Sequence, residues 1–312
     1  MRILVVGAGA LGGYFGARLA HAGRDVTFLV RAGRADELKR AGLVIKSPCG
    51  DLTVRDVKTV LAGNMPRPFD LVLLSCKAYN LDDAIEAVAP AVGPATMILP
   101  VLNGMRHIDV LKAKFGASNV LGGLGVIAAT LNREREIVHL NDLHAISYGE
   151  LEGGMSDRVQ AVARTLEGAG FDAPAVDNIV AQMWDKWVFL ATLAASTCLN
   201  RASIGDILKT PDGKQVIEDI FAECRAIAQH NGYGMSAPFE ARARSMLFAD
   251  GSPMTASMLR DVENKSRTEA DHILGDLIQR GGAAQQQDAP LSLLRVAYGH
   301  LKAYEARQAR GA

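Results

Sequence analysis

The chain has 312 residues, with 34 Lys and Arg against 34 Asp and Glu, and 49% of its side chains are hydrophobic. At about 100–200 residues per domain, this length predicts one large or two medium-sized domains, each with a hydrophobic core of its own. The charge balance argues against the broad electrostatic surface that binds nucleic acid or an anionic membrane. We therefore expect a small, locally recognised ligand.

The cysteines are far apart, form no C-x-x-C pair and predict neither a disulfide framework nor a zinc site; they are Cys49, Cys76, Cys198 and Cys224. We expect reduced thiols in a cytoplasmic protein. The apolar run after Arg2 is too short for a signal peptide, and the longest uncharged apolar run, 187–200, is shorter than the about 20 residues of a membrane helix. The sequence therefore predicts a soluble protein without a membrane span.

A glycine-rich turn lies at the start of the chain. The β-branched, apolar run 2–6 is typical of a strand buried on both faces of a parallel sheet. A helical pattern over 13–24 and a second strand over 25–30 complete a unit of about 30 residues, the context in which G-x-G-x-x-G binds a dinucleotide. Here that sequence consists of Gly7, Ala8, Gly9, Ala10, Leu11 and Gly12.

Each glycine of this turn has its own expected role. Gly7 permits the tight reversal, Gly9 lets the backbone approach a pyrophosphate, and Gly12 allows the helix to pack closely on the strand. The N-terminus of the helix supplies N–H groups and the positive end of a dipole to the phosphates.

The end of the second strand distinguishes the two nicotinamide cofactors. An NAD enzyme usually places Asp or Glu there to bind the ribose 2′-OH, whereas this chain has Arg31 and Arg34. A cation favours a 2′-phosphate, so the sequence predicts NADPH. The alternative interpretation is that both arginines are solvated loop charges.

Polar residues follow two further predicted strands. The apolar run 69–76 is followed by Lys77, and the run 97–102 is followed by Asn103. Ligands of open α/β sheets bind outside the carboxyl ends of the strands, so both residues are candidates for facing the cofactor. By position alone, each could equally be a helix cap or a loop residue.

The remaining pattern predicts an α/β fold: an N-terminal Rossmann-type, doubly wound sheet over residues 1–177, followed by an all-α C-terminal domain over 178–312. We expect a ligand cleft where the two domains meet. The predicted strand elements are 120–127, a hairpin of 137–139 with 145–148, and 171–176. The predicted helices are 156–169, 179–200, 214–231, 238–248, 255–280 and 290–309.

A reductase must also give a proton to the alkoxide that forms during hydride transfer. Lys186 is the candidate donor, because burial can lower a lysine pKa towards neutrality and its neighbours Trp184, Trp187 and Phe189 are aromatic. The alternative is a lysine that extends along an amphipathic helix into water. The histidines form no H-E-x-x-H, and we interpret His139 and His144 as flanking a surface turn rather than binding a metal.

A second polar cluster begins at Ser257, which could cap a helix or bind a substrate. Glu269 could form an i, i+4 pair with Lys265 or enter the cleft. In one continuous helix, Ser257 and Glu269 would lie about 18 Å apart along the axis. They would then contact different parts of a ligand, unless the helix is broken.

Together these motifs resemble the ketopantoate reductase (2-dehydropantoate 2-reductase) family over essentially the whole chain. The matching segments are 7–12, Arg31, 76–78, 103–105, 184–186, 257–261 and 268–269. The resemblance implies NADPH-dependent reduction of a 2-oxo acid and a place in pantothenate biosynthesis. It also implies that Gly7 to Gly12 bind the pyrophosphate, that Arg31 binds the 2′-phosphate and that Lys77, Asn103 and Ala129 lie near the cofactor. It further implies Lys186 as proton donor and substrate ligand, Ser257 on the substrate, and Glu269 as a catalytic residue near the nicotinamide.

One departure bears on the substrate. The family pattern has Asn four and eight residues after the catalytic lysine, on one helix face, where this chain has Leu190 and Ala194. Nearby polar residues that could replace these amides are Thr192, Ser196, Thr197 and Asn200. We therefore predict reduction of ketopantoate to pantoate, or of a related, more apolar 2-oxo acid. Alternatives are an imine or opine-type reductase and a non-catalytic NADPH-binding regulator. A homodimer is compatible with the helical half.

Overall fold

The computed structural model describes residues 1–65, 68–282 and 290–311. The chain folds into two compact units. The N-terminal unit comprises Met1–Leu102 and His107–Val180, and the helical unit comprises Asn103–Arg106 and Ala181–Ala312. The short segment Asn103–Arg106 is thus part of the helical unit, although it lies far from the rest of that unit in sequence.

The N-terminal unit contains two sheets. Its strands are β1 (Arg2–Val6), β2 (Asp25–Leu29), β3 (Leu43–Lys46), β4 (Leu52–Val54), β5 (Thr59–Val60), β6 (Leu71–Leu74), β7 (Met97–Pro100), β8 (Gly122–Leu131) and β9 (Ile137–Gly149). The larger sheet is parallel, with the order β5-β2-β1-β6-β7. Ile3 of the central β1 pairs with Val26 on one side and Leu71 on the other. Neighbours on both edges and packing on both faces explain why β1 is apolar from Ile3 to Val6.

Helices accompany the parallel strands. They are α1 (Ala10–His21), α2 (Ala32–Ala41), α3 (Leu81–Val88), α4 (Arg106–Phe115) and α5 (Asp157–Leu166). The first predicted helix begins three residues early, at Ala10, because Gly9 is its extended N-cap. α5 begins after Ser156, whose side chain accepts a hydrogen bond from the backbone of Val159. The predicted strand–turn–helix–strand order at the start of the chain is therefore confirmed.

The second sheet was not predicted, and its order is β4-β3-β9-β8. The predicted hairpin between 137–139 and 145–148 is wrong, because both segments lie in β9 and pair with β8. Between the pairs Ile127–His144 and Ala129–His139, only Ala128 of β8 faces residues 140–143 of β9. The extra residues of β9 form a bulge. The break that this bulge makes in the sequence alternation led to the prediction of a turn.

His139 and His144 therefore lie on a strand on either side of this bulge. Their rings are stacked with centroids 5.6 Å apart, His139 shares a hydrogen bond with Ser47 Oγ at 2.9 Å, and His144 shares one with the Tyr14 hydroxyl at 2.7 Å. Across the described residues, no group of three or more His, Cys, Asp or Glu could hold a metal ion. These histidines are structural partners of the second sheet.

The predicted strand 171–176 is also wrong. Only isolated bridges, Ala145–Asp172 and Tyr148–Ala175, join this segment to β9. The segment runs beside the sheet without a continuous ladder, so its apolar residues pack on the core without forming a strand.

The helical unit contains all but the first two residues of α6 (Ile179–Asn200). Its other helices are α7 (Ile204–Leu208), α8 (Gly213–His230), α9 (Ala237–Leu247), α10 (Ser257–Glu263), α11 (Asp276–Arg280) and α12 (Leu293–Ala309). The continuous helix predicted over 255–280 is wrong, because α10 ends at Glu263 and Lys265 has a φ of 55°. A π-helical turn, Asp271–Gly275, then precedes α11. No helix in the described ranges is long and apolar enough to span a membrane. The predicted fold class, an α/β N-terminal half and an all-α C-terminal half, is confirmed.

Candidate active site

The glycine-rich turn joins β1 to α1, and two of its glycines are required by the protein itself. Gly7 has a φ of 92°, a conformation that side chains with a Cβ rarely adopt. A Cβ at Gly12 would collide with Ser75 Oγ and would lie 2.7 Å from the carbonyl oxygen of Gly7. These two positions are therefore explained by backbone geometry and by packing.

Gly9 is different, because neither its backbone conformation nor the described residues around it require a glycine. Its φ is −85°, which any residue adopts, and a Cβ would meet no atom of residues 1–65, 68–282 and 290–311 within 4 Å. The N-terminus of α1 also has no side-chain cap and no acidic residue in its first turn. Open space above a bare backbone, beside uncapped N–H groups, fits the pyrophosphate of a dinucleotide.

The strand order places further candidates of the N-terminal unit around this turn. The order reverses between β1 and β6, the switch point at which open α/β sheets bind nucleotides. Ser75, directly after β6, donates a hydrogen bond to the carbonyl oxygen of Val6 at 3.0 Å and so joins the two strand ends. Lys77 follows as the N-cap of a short 3-10 turn and is half-buried. Ala129 lies in β8 directly after the register shift.

The two arginines after β2 lie in different environments. Arg31 is the N-cap of α2, its side chain is 84% exposed, and its nearest acidic partner, Asp83, is 3.9 Å away. Arg34 is in the first turn of α2, its side chain is only 11% exposed, and it donates to Glu37 Oε2 at 2.8 Å and to the carbonyl oxygen of Ala8 at 3.2 Å. The interpretation as a solvated loop charge is therefore wrong for Arg34. Its side chain instead stabilises the glycine-rich turn through the hydrogen bond to Ala8.

Lys186 lies on α6 and is half-buried beside Trp184 and Trp187. Its Nζ donates to Asn103 Oδ1 at 3.0 Å. Burial lowers the pKa of Lys186 to about 8, and the negative charge of Glu269 partly opposes this effect. A buried ammonium with this pKa can give up a proton and regain it near neutral pH.

Asn103 is positioned by the residue that follows it. Gly104 has a φ of 80°, and a Cβ there would lie 2.7 Å from the carbonyl oxygen of His272. Trp187 Nε1, on the same helix as Lys186, donates to the carbonyl oxygen of Ile273 at 2.9 Å. The segment with Asn103 thus packs closely against the π-helical turn, and the helix with Lys186 is hydrogen-bonded to it.

Glu269 lies two residues before this turn and is 7% exposed. Its carbonyl oxygen accepts hydrogen bonds from the backbone of His272 and Ile273 at 3.1 and 3.0 Å. In the described part of the chain no ion pair joins Glu269 to Lys265, because the left-handed backbone at Lys265 interrupts the helix. The structure therefore brings Asn103, Lys186 and Glu269 together, as a cluster within the helical unit.

His272 belongs to this cluster and was missed from the sequence. Burial and the positive charge of Arg106 lower its pKa, against the opposite effect of Glu269. The only available signal was its spacing of three residues from Glu269, which has no meaning until the π-helical turn is known. Its carbonyl oxygen, rather than its ring, makes the close approach to Gly104.

Ser257 is the first residue of α10, and Ala256 is the N-cap. The expectation that Ser257 caps the helix is therefore wrong. Ser257 is exposed. A role on a substrate stays a prediction for this residue.

The face of α6 beyond Lys186 is apolar. Leu190 is half-buried and Ala194 is 2% exposed. Three of the four polar residues considered as replacements for the family's amides bond to carbonyls of α6 itself: Thr192 to Val188, Thr197 to Leu193 and Asn200 to Ser196. Ser196 is fully buried. None of these side chains restores the amide pair of the family pattern.

Two family models match the chain. Ketopantoate reductase PanE/ApbA matches residues 3–153, and ketopantoate reductase PanE/ApbA C terminal matches residues 178–305. The uncharacterized oxidoreductase YkpB of Bacillus subtilis is 35% identical over 99% of this chain and 100% of its own. The two matches together include every segment on which the resemblance was based.

Solved structures of other proteins have the same fold over nearly the whole chain. The 2-dehydropantoate 2-reductase from Methylococcus capsulatus is 30% identical, with a TM-score of 0.84 over 98% of this chain and 97% of its own. D-mandelate dehydrogenase with NADH and anilino(oxo)acetate shares the fold at 21% identity, with a TM-score of 0.85 over 98% of this chain and 99% of its own. Since both halves match the models of one family, the chain belongs to the ketopantoate reductase family.

Proposed function

We propose that the protein is an NADPH-dependent reductase of a 2-oxo acid, and that Lys186 is its proton donor. The observation that supports this most strongly is the hydrogen bond from Lys186 Nζ to Asn103 Oδ1, with Glu269 acting on the same amine. A lysine whose pKa is about 8 is a suitable general acid at neutral pH.

When bound, the reduced nicotinamide would supply the hydride for the keto carbon. Lys186 gives one proton to the keto oxygen as the C=O bond becomes C–O–H, and regains a proton from solvent afterwards. Asn103 orients the amine towards its acceptor, and Glu269 keeps part of the lysine population protonated. The overall change is addition of one hydride and one proton to the 2-oxo acid, which yields the 2-hydroxy acid.

NADPH is proposed over NADH because of Arg31. The residue follows β2, is exposed, and is only loosely paired with Asp83 at 3.9 Å. An uncommitted guanidinium at this strand end supports recognition of a 2′-phosphate. Gly9 and the uncapped first turn of α1 would hold the pyrophosphate, with Lys77 and Ala129 close to the cofactor.

The substrate is proposed to be ketopantoate or a more apolar 2-oxo acid. With ketopantoate the product is pantoate and the enzyme belongs to pantothenate biosynthesis. Leu190 and Ala194 instead favour a substrate with an apolar side chain, because a site without amides gains nothing from a substrate hydroxyl. Ser257 is the proposed contact to the polar part of the substrate.

The test is a spectrophotometric assay of the purified protein with NADPH and with NADH. Substrates are ketopantoate and a panel of branched 2-oxo acids, and Lys186→Ala is the comparison. We expect turnover with NADPH on at least one acid and a loss of about 10²–10⁴-fold in Lys186→Ala. No turnover on any acid, with tight NADPH binding, would instead support the non-catalytic regulator. Products that contain nitrogen only when an amine is added would support the imine or opine-type reductase.

A further inference from the structure

The residues on both sides of Glu269 are held by α12. Thr268, directly before it, donates from Oγ1 to Glu305 Oε1 at 2.5 Å. Asp271, two residues after it, accepts a hydrogen bond from Lys302 Nζ at 3.1 Å. The same ammonium donates to Glu305 Oε2 at 2.6 Å. Lys302 of α12 therefore links the residue before Glu269, through Glu305 and Thr268, to Asp271 after it.

Two tyrosines of α12 extend this contact. Tyr298 donates from its hydroxyl to Asp271 Oδ1 at 2.7 Å, and Tyr304 donates to the carbonyl oxygen of Ser266 at 2.8 Å. The helix is itself anchored, because Glu223 of α8 accepts from its first two backbone N–H groups at 3.0 and 3.1 Å. α12 is thus a fixed frame for the segment that carries Glu269.

Lys302 is the electrostatic centre of this network. Burial alone favours its neutral form, but the hydrogen bonds to Glu305 and Asp271 prevail and raise the pKa of Lys302. It is therefore a cation near neutral pH, with two carboxylates bound to one ammonium. Without that cation, Asp271 and Glu305 would repel each other, and the charge-assisted hydrogen bonds that fix their positions would be lost.

The position of Glu269 matters because its charge acts on Lys186. The helix with Lys186 is attached to the π-helical turn by Trp187 Nε1 and the carbonyl oxygen of Ile273, at 2.9 Å. This contact sets the end of the segment after Glu269. The beginning of the segment is set by Thr268, which depends on α12.

We propose that Lys302 is a positioning residue: through Glu305 and Thr268 on one side and Asp271 on the other, it fixes the Glu269 carboxylate relative to Lys186. It makes no contact with the reacting atoms. This inference rests on the proposed function for its catalytic meaning, whereas its structural content concerns only the helical unit.

The kinetic test compares Lys302→Met with Lys302→Arg, which keeps the charge and the reach. The matched control is Lys209→Met, because Lys209 forms an exposed ion pair with Asp206 at 3.2 Å in the same unit. We expect kcat to fall by about tenfold or more in Lys302→Met, with an unchanged Kd for NADPH, and Lys302→Arg to recover most of the loss. Equal losses in the Met and Arg variants, or none in either, would overturn the proposal.

A second measurement does not depend on turnover. In protein labelled with [ε-¹³C]lysine, Lys186 can be titrated by NMR and assigned with Lys186→Arg. The charge of Glu269 raises the pKa of Lys186. The adjacent His272 is acted on by the charges of Arg106, Asp271 and Asp276 as well as Glu269. If Lys302→Met displaces Glu269, Lys186 titrates at lower pH than in the wild type and the control. An unchanged titration would refute the positioning role, whereas absent turnover with a shifted titration would refute only the proposed reaction.

Discussion

Lys186 Nζ donates to Asn103 Oδ1 at 3.0 Å, so one partner of the amine is a neutral amide oxygen. A neutral acceptor orients the amine, and burial lowers the pKa of Lys186 to about 8. Glu269 provides the opposing charge. The chemistry of the cluster depends on this balance between burial and one carboxylate.

The first prediction concerns pH. The pKa of Lys186 is lowered to about 8, so the ammonium is present below that pH and is lost above it. Reduction of a 2-oxo acid should therefore slow as the pH rises through about 8, whereas oxidation of the 2-hydroxy acid should accelerate over the same interval. Measuring kcat in both directions at saturating cofactor checks this. A wild-type profile that stays flat through this interval would remove Lys186 from the role of proton donor.

The second prediction concerns the acceptor. Asn103→Asp places a negative charge beside the ammonium and should raise the pKa of Lys186 by about 1 unit or more. The pH at which reduction slows should rise by the same amount. Asn103→Ala removes the acceptor without adding a charge, so it should reduce kcat without moving the profile upwards. If the Asp and Ala variants shift the profile alike, the oxygen of Asn103 does not act on this amine.

The third prediction separates ligand binding from folding in the glycine-rich turn. Gly9→Ala should change the free energy of unfolding by less than about 1 kcal/mol, because its Cβ meets no protein atom within 4 Å. It should still weaken NADPH binding by about tenfold or more, because the Cβ occupies the space of the pyrophosphate. Gly12→Ala is the matched variant and should lower the free energy of unfolding by about 1–3 kcal/mol through overpacking. Urea unfolding and NADPH fluorescence titration measure the two effects, and normal NADPH binding by Gly9→Ala would contradict this assignment of the turn.

The fourth prediction uses the contrast between Arg31 and Arg34. Arg31→Ala should raise the Kd for NADPH by about tenfold and leave the Kd for NADH unchanged, because only the 2′-phosphate is lost as a partner. Arg34→Ala removes the hydrogen bond to the carbonyl oxygen of Ala8 and should weaken both cofactors. Calorimetric titration of each variant with each nucleotide decides it. An equal loss for both nucleotides in Arg31→Ala would argue against recognition of the 2′-phosphate.

The fifth prediction concerns substrate choice. Leu190→Asn returns an amide to the half-buried position four residues after Lys186. It should increase kcat/KM for ketopantoate relative to a branched apolar 2-oxo acid by about tenfold, the effect of one hydrogen bond to a substrate hydroxyl. Leu190→Met keeps the apolar character and is the control. An unchanged ratio in Leu190→Asn would show that this position does not face the substrate side chain.

Much of the fold could be predicted because the governing rules are local. β1, the glycine-rich turn and α1 follow from an apolar run, three glycines and a helical period, and each lies close to its predicted position. β8 was predicted to end at Ile127, which is where the register with β9 shifts. Beyond a bulge, the alternation of side chains between the two faces of the sheet is shifted. A prediction that relies on strict alternation therefore ends the strand at the bulge, although the strand continues.

The candidate site was predictable only in part. Lys186 could be found from its aromatic neighbours, because burial is encoded in the adjacent sequence. Its pairing with Asn103 depends on a segment that folds with the helical unit although it lies 83 residues away in sequence. The π-helical turn after Glu269 has no compositional signal, since hydrogen bonds that span one additional residue change the winding without changing the residue types.

This winding also sets a rotational phase. Each residue of an α-helix advances the direction of the side chain by about 100°, and the turn Asp271–Gly275 accommodates its residues with a slower advance. The segment before the turn is therefore rotated about the helix axis relative to α11. The angle of this rotation depends on the number of residues in the turn and not on their identity. Glu269 points where it does because the segment has this length. A chain shorter by one residue here would keep every side chain of the cluster and lose their common direction.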